Sequence, residues 1–306
     1  MPEKPPKDLA ALDVLLRKID SDFVEEKIPI PSRPVRALQA LSKHYGISIP
    51  FGPSANLPPE LQENVYLSEA TNAWYKRVYG ELLKMDFSAG RIVTSIDGDL
   101  YSVLIPRIFG QVRFIVRREF LNHAQDPSKG PAISNVLQLV KGMTPAKAAT
   151  LSDTTTRNLF DDFLVGFQAH YTMEANQENE LIHIARGDIQ TAVNNLMDQA
   201  NRFGESKWAS LQASEKALKA AIHLLGGKFR FSHNLSELCE TLELLGVNFS
   251  WRSRIRLIQC TAGIRYGEES CSSESALAAH KASLQLILEL KSGGVPFKDG
   301  IAFRGS

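Results

Sequence analysis

The sequence predicts an α+β protein that is mostly helical, with a small antiparallel sheet in its N-terminal part and a four- to five-helix bundle in its C-terminal part. Apolar residues recur at helical spacing over most of the chain. The period changes to alternation between Arg91 and Val116. A polar segment at residues 175–180 then separates the two parts. We therefore expect a mixed domain, a helical bundle and a tail, over residues 1–175, 176–292 and 293–306.

Three amphipathic helices are predicted before the sheet. Each carries its apolar residues on one face, and a proline-rich segment ends the first helix because proline lacks the N–H group and restricts the residue before it. A glycine, Gly46, follows the second helix. The predicted helices cover about residues 9–26, 35–45 and 63–84.

The alternating segment predicts an antiparallel sheet of three strands. Asp97 and Gly98 separate two β-type runs and form a turn typical of a hairpin. Gly110 introduces a third run, residues 111–116. We then expect a helix over 133–141, a short helix with Thr144 as its cap, and a longer helix over 155–171.

Five helices are predicted after the polar segment, and short connections between amphipathic helices favour an antiparallel bundle. Phe203 and Gly204 are expected to form a turn, and Asn234 with Glu237 has the spacing of a capping box. The predicted helices are about 178–199, 208–225, 234–245, one that starts near 251, and one that follows 272–273 and runs to about 291.

Charged residues occupy unusual positions in the second helix of this bundle. Glu215 falls inside the apolar stripe, so its carboxylate must be paired or lie at an opening, because an unpaired buried charge costs several kcal/mol. Lys216, Lys219 and His223 share a neighbouring polar face that is suited to a phosphate. The alternative is a solvated helix face with Glu215 at its margin.

Three arginines, Arg252, Arg254 and Arg256, open the fourth helix of the bundle. Positive charge at a helix N-terminus opposes the helix dipole by roughly 0.3–1 kcal/mol per charge. We therefore expect an acidic partner segment or a phosphate-bearing ligand, which arginine binds in a bidentate manner. The alternative is three exposed arginines in a weakly capped helix. His280 is expected as a hydrogen-bonded core residue, and His233 as a turn or cap residue.

The bundle resembles a HEPN domain from about residue 178 to residue 291. The resemblance rests on the order and spacing of three segments, GlnAlaSerGluLysAlaLeuLysAla, SerHisAsnLeuSerGluLeu and GlyIleArgTyrGlyGlu, at residues 212–220, 232–238 and 263–268. It implies a helical module that is associated with nucleotides or nucleic acids and is often dimeric. In some branches of the family, the module is an RNA-cleaving toxin or defence effector.

The chain departs from the ribonuclease branch of that family. HEPN ribonucleases carry an arginine, four to six further residues and then a histidine late in the bundle. Here Arg265 is followed by TyrGlyGluGluSerCys, and the next histidine is His280. The nuclease residues of the family therefore have no counterpart at the expected spacing in this bundle.

We expect a nucleotide- or RNA-binding module without catalysis, in a bacterial defence or toxin-related system. One alternative is a metal-independent ribonuclease with a degenerate pair, Arg265 and His280. Another is a helical scaffold that forms a homodimer through the bundle or binds a protein partner. The expected ligand-binding residues are Lys216, Lys219, His223, Arg252, Arg256 and Arg265, with Glu215 orienting a basic side chain.

Composition limits the classes of function and partner that remain possible. The net charge of +1 gives no global basic field, so nucleic-acid binding needs a local patch. The three cysteines show no CxxC spacing, which indicates reduced thiols and a cytoplasmic protein. Neither a metal-ligand motif nor a common phosphate-binding loop occurs, so we expect no cofactor. No apolar run is long enough to span a membrane, so no membrane partner is expected.

Overall fold

The computed structural model describes residues 5, 6, 8–51, 57–83, 88–121, 131–229 and 233–300. The chain divides into two compact units, Met1–Asp86 and Phe87–Ser306. Helices dominate, and strands occur in the second unit, as the sequence predicts.

The first unit is helical. Asp8 begins α1 because its side chain accepts hydrogen bonds from the N–H groups of Ala10 and Ala11. The core of the unit forms where the apolar faces of three helices meet, around Leu16, Leu41 and Tyr75. Its α-helices are α1 (Leu9–Glu25), α2 (Arg33–Tyr45), α3 (Pro59–Gln62) and α4 (Val65–Tyr79).

The second unit opens with the predicted hairpin. Strand β1 (Ser88–Ile96) pairs antiparallel with β2 (Asp99–Pro106). The turn residues Asp97 and Gly98 have φ angles of 52° and 93°, the left-handed values that a two-residue hairpin of type I′ requires. The hairpin prediction from the AspGly pair is therefore confirmed.

The third predicted strand pairs differently from the prediction. Strand β3 (Val112–Ile115) lies parallel to β4 (Ala132–Asn135) in a separate two-stranded sheet. The predicted helix at 133–141 is also wrong, because β4 and a 3-10 turn (Val136–Leu139) occupy that segment. A parallel pair requires a long connection between its strands, and no local turn signal reveals which distant segment is the partner.

A long helix covers the hairpin. Thr144 and Ser152 cap α5 (Pro145–Thr150) and α6 (Asp153–Ala175) respectively by accepting backbone N–H groups. Gly166 of α6 lies so close to β1 that an added Cβ would come within 2.5 Å of Ile92 Cγ2. Helix α6 therefore packs directly on the sheet.

The C-terminal helices form the predicted bundle. They are α7 (Glu180–Leu196), α8 (Phe203–Leu224), α9 (Leu235–Leu244), α10 (Arg252–Ile258) and α11 (Ser273–Ser292). Helix α8 is central and packs against the other four. The turn predicted at Phe203 and Gly204 is wrong, since both residues lie in α8. A Cβ at Gly204 would be 2.2 Å from the Ile264 carbonyl oxygen, so this glycine permits close approach of the chain after α10.

The sheet and the bundle share one hydrophobic core. Side chains from β1, α6, α8 and α11, including Ile92, Phe163, Leu211 and Leu286, belong to the same buried cluster. The compact units therefore divide the chain at a different place from the polar segment at 175–180. In the predicted tail, Val295 and Phe297 are buried, and residues 301–306 lie outside the described part.

Among the described residues, no helix combines the length and the apolar character needed to cross a membrane.

Side chains from three helices form hydrogen bonds with the backbone groups at the free edge of β1. The carbonyl groups of Ala89 and Arg91 accept hydrogen bonds from Arg186 Nη2 (2.9 Å) and His170 Nε2 (3.1 Å), and the N–H group of Val93 donates to His280 Nε2 (3.3 Å). Residues 89, 91 and 93 alternate along the strand, so these groups face the same edge. Side chains of α7, α6 and α11 thus replace a neighbouring strand.

Both edge histidines are neutral in the folded protein. Burial, helped by the charge of Arg186 and opposed by the hydrogen bond to the Arg91 carbonyl, lowers the pKa of His170 to about 4. Burial, helped by the proximity of His170 and Lys281, lowers the pKa of His280 to about 3. His280 must keep the lone pair on Nε2 to accept the Val93 N–H group. Protonation would remove that acceptor.

The lowered pKa values of the two histidines predict a loss of stability in acid. The unfolded chain takes up protons below pH 6.5, whereas the folded protein does so only near pH 4 and below. The free energy of unfolding should therefore fall across this window, by roughly 1.4 kcal/mol per pH unit for each histidine. Urea unfolding between about pH 7 and about pH 5 measures the slope.

Replacing both residues, His170→Gln with His280→Gln, keeps a donor and an acceptor for β1 but removes the titration. The double variant should lose most of the slope, whereas the exposed control His183→Gln should keep it. An unchanged slope in the double variant would assign the acid sensitivity to other groups.

Candidate functional site

Glu215 is a buried carboxylate in the middle of α8, with 5% of its surface exposed. Its Oε1 atom accepts a hydrogen bond from Lys219 Nζ at 2.5 Å, one helical turn further on. Its Oε2 atom lies 2.7 Å from Nδ1 of His233. Both oxygens of the carboxylate therefore contact a basic side chain.

Lys219 faces inwards. Its side chain is only 10% exposed, and its ammonium group lies 5.4 Å from the centre of the Phe229 ring. The ion pair with Glu215 and the aromatic face together compensate its charge. Lys219 therefore stabilises the site from inside and offers little surface to a ligand.

His233 is the exposed member of the group. Its side chain is 72% exposed, although Nδ1 is held by a buried carboxylate. Since a carboxylate accepts hydrogen bonds, we assign a proton to Nδ1, and in the neutral ring Nε2 then carries the lone pair. The ring centre lies 6.4 Å from that of Trp208 on α8, with the planes tilted by 51°. The result is an oriented imidazole beside an indole.

Two capping interactions fix the position of His233. Asn234 begins α9 by accepting the N–H group of Ser236, and its amide donates to Glu237, so the two residues of the predicted capping box do interact. Gln259, at the end of α10, accepts the Leu235 N–H group at 3.1 Å. The first turn of α9 is therefore tied to α10.

The sequence alone predicts His233 only as a turn or cap residue. No helical period relates it to Glu215, because Glu215 belongs to α8 whereas His233 precedes α9. The one available signal is the charge of Glu215 itself, which requires at least one partner.

Lys216 belongs to a different ion pair. Its Nζ atom lies 2.7 Å from Asp188 Oδ2 on α7 and 3.3 Å from Gln212 Oε1. The two lysines of the predicted phosphate-binding face are thus each paired with a carboxylate. Neither presents an uncompensated positive charge.

The exposed cations of the predicted site lie further out. His223 is exposed in the last turn of α8. Arg252 and Arg256 are exposed and four residues apart on α10, which places them on one face. Arg252 stacks on Trp251 at 4.5 Å and lies 3.7 Å from Glu243.

The remaining arginine of α10, Arg254, faces the bundle. Its Nε atom donates a hydrogen bond to Glu289 Oε1 at 3.0 Å. Acidic side chains thus offset two of the three charges that oppose the helix dipole. Among the described residues, no hydrogen bond or ion pair compensates Arg256, which makes it the cation best placed for a ligand.

Arg265 lies towards the other end of α8. The preceding Ile264 carbonyl touches Gly204, which is about 22 Å along the helix axis from Lys219 at 1.5 Å per residue. Its guanidinium group stacks on Tyr266 at 5.6 Å. Arg265 is therefore not brought beside Lys219 and His223 along α8.

Arg265 and His280 are also not brought together. Arg265 is exposed, whereas His280 has no exposed surface and binds the edge of β1. Within the described residues, no hydrogen bond or ion pair links them. The core position that the sequence predicts for His280 agrees with its burial.

Comparison with known families supports the resemblance noted above. The family model of the HEPN domain matches residues 179–284, which contain α7 to α10 and much of α11. The chain therefore contains a HEPN domain in its C-terminal part. No curated protein and no solved structure matches the chain at a significant level.

The buried pair predicts strong energetic coupling. Glu215→Gln or Lys219→Met should each lower the free energy of unfolding by about 3 kcal/mol, because each removes one member of a buried ion pair. The double variant should lose less than the sum, with a coupling energy of about 2 kcal/mol. Urea unfolding of the four proteins measures this cycle.

The Lys216–Asp188 pair is the matched control. Its side chains are 20% and 24% exposed, so Lys216→Met with Asp188→Asn should give a coupling energy below about 1 kcal/mol. Equal coupling in the two cycles would contradict a special role for the Glu215 carboxylate.

Proposed function

We propose that the HEPN domain of this chain is a nucleotide- or RNA-binding module without catalysis, and that His233 is the centre of its binding site. The main support for this proposal is the exposed imidazole of His233, whose Nδ1 atom is held by the buried Glu215 carboxylate. A side chain fixed in this way loses little freedom when it binds a ligand. The Nε2 atom supplies directional contact, and the half-buried Trp208 supplies an aromatic surface.

Exposed arginines supply the electrostatic part of binding. Arg256 lies one turn before Gln259, whose amide reaches the His233 carbonyl oxygen at 3.5 Å. Arg252 lies one turn before Arg256 on the same face of α10. Guanidinium groups bind phosphate in a bidentate manner, so this face of α10 suits the backbone of a nucleotide ligand.

Binding is favoured over catalysis at the sequence-predicted Arg265 and His280 pair. A general acid or base must come within hydrogen-bonding reach of its substrate. His280 has no exposed surface, and its Nε2 atom already accepts the Val93 N–H group. These positions give the ribonuclease alternative no support.

RNA binding should depend on His233 and on α10. His233→Ala should weaken the binding of a short single-stranded RNA by roughly tenfold, the effect of losing one hydrogen bond of about 1.4 kcal/mol. Arg252→Ala with Arg256→Ala should also reduce the slope of log affinity against log salt by about 0.7 per arginine. Fluorescence anisotropy at several salt concentrations measures both.

Two controls sharpen this test. His183→Ala removes an exposed histidine on α7 and should leave the affinity unchanged. Lys216→Ala should change it less than twofold, because Asp188 already compensates that lysine. Equal losses in His233→Ala and His183→Ala would contradict the proposed site.

A homodimer is a second proposal that a separate surface favours. Leu244 is 89% exposed at the end of α9, and Leu245 and Leu224 beside it are 37% and 38% exposed. Leu245 Cδ1 would lie 2.6 Å from a Cβ at Gly227, so these leucines gather where α8 and α9 end. An exposed apolar cluster of this kind is typical of a protein interface.

Replacing one leucine tests the dimer. Leu244→Glu should convert a dimer into a monomer at micromolar concentration, because it places a charge in an apolar interface. Light scattering after size-exclusion chromatography measures the mass. Leu82→Glu is the control, since Leu82 is 63% exposed in the other unit and should leave the mass unchanged. A monomeric wild-type protein would contradict this proposal.

A further inference from the structure

Phe109 projects from the connection between β2 and β3. Its surface is 88% exposed, which is unusual for a phenylalanine, and Gly110 follows with a φ angle of 84°. The flanking strands end and begin within a few residues of it. The aromatic ring is therefore presented at a turn and is not covered by the described part of the chain.

The turn that presents Phe109 is held by hydrogen bonds from helix α6. Tyr171 Oη donates to the Pro106 carbonyl oxygen and accepts the Ile108 N–H group, both at 2.9 Å. Tyr171 lies on α6 and packs against Phe167 with ring centres 4.6 Å apart. Because the backbone before Phe109 is held by a core helix, little ordering is needed when a partner binds the ring.

Strand β3 continues from this turn with cations on its outer face. Phe114 faces the core and contacts Phe163 and Phe167, with ring centres 4.8 and 5.1 Å apart. Alternation along the strand places the preceding Arg113 on the opposite face, where it is exposed. Ile133, its register partner on β4, is 41% exposed and adds apolar surface there.

A second cation follows where β3 ends. Arg117 is exposed, and its backbone N–H and carbonyl groups are held by Oδ1 and Nδ2 of the buried Asn135, at 3.1 and 2.7 Å. Among the described residues, no ion pair involves Arg113 or Arg117. The nearest acid in the chain, Glu119, is exposed and is likewise outside any ion pair in the described part.

We propose that Phe109, Arg113 and Arg117 form a platform for single-stranded nucleic acid. A base stacks on the Phe109 ring, and the two guanidinium groups contact backbone phosphates. The arginines are four residues apart, with Arg113 in β3 and Arg117 beyond its end, so each can contact its own phosphate. Positive charge next to an exposed ring selects a polyanion with flat bases over a purely apolar partner.

This platform takes its ligand class from the proposed function but is a separate site. It consists of residues outside the matched range 179–284. It therefore assigns a role to the α+β region before the bundle. A mononucleotide is too short to require the platform, whereas an oligonucleotide has the bases and phosphates to engage it.

The test compares one long and one short ligand. Phe109→Ala and, separately, Arg113→Ala with Arg117→Ala should each weaken the binding of a single-stranded RNA of about ten nucleotides by roughly tenfold. Both variants should leave mononucleotide binding unchanged. Anisotropy of the labelled RNA, and calorimetry with uridine monophosphate, measure the two affinities on the full chain.

Matched controls come from the other unit. Phe51→Ala removes another exposed phenylalanine, with 64% of its surface exposed, and Arg36→Ala removes another exposed arginine. Neither should change RNA affinity. A general effect of lost apolar surface or lost charge would instead appear equally in these variants and would overturn the proposal.

Other outcomes distinguish a failure of the platform proposal from a failure of the proposed site at His233. RNA binding that His233→Ala weakens but Phe109→Ala does not would overturn the platform and leave the proposed function standing. A wild-type protein that binds neither ligand would overturn both. Binding to vesicles of phosphatidylcholine with phosphatidylserine is measured as the last comparison. Binding to these vesicles that depends on Phe109, without an effect on RNA, would replace nucleic acid by a lipid surface and overturn the proposal.

Discussion

The bundle depends on one constraint, the neutralisation of a carboxylate in the middle of its central helix. Glu215 is 5% exposed and would be strongly destabilising without partners. Lys219 compensates it from the same helix, and His233 binds it from the start of α9. Gln259 then ties that start to α10. One buried charge thereby fixes the relative positions of three helices and leaves an oriented imidazole at the surface.

A second set of polar contacts joins the sheet to the bundle. A two-stranded hairpin has free edges, and the edge of β1 is satisfied by Arg186, His170 and His280 from three helices. The resulting contacts explain why the hairpin shares a core with the bundle. They also explain the burial of His280, whose lone pair serves the backbone and leaves it without access to a substrate.

Local signals in the sequence predicted most of the fold. Helical periodicity located the helices, and the AspGly pair located the hairpin, because both patterns depend on neighbouring residues. The parallel pairing of β3 with β4 was missed, since it joins distant segments. The charge at Glu215 predicted a partner but not its identity. His233 and Asp188 became visible as partners only when the fold brought their helices against α8.

The side chain of His233 offers the most direct test of the proposed binding site. Proton–nitrogen NMR spectra of the histidine rings, recorded on isotope-labelled protein during titration with a short RNA, report each ring nitrogen separately. We predict that the Nε2 signal of His233 shifts with ligand saturation while Nδ1 retains its proton and its bond to Glu215. Saturable RNA binding without any change at His233 would contradict the claim that this oriented imidazole receives the ligand.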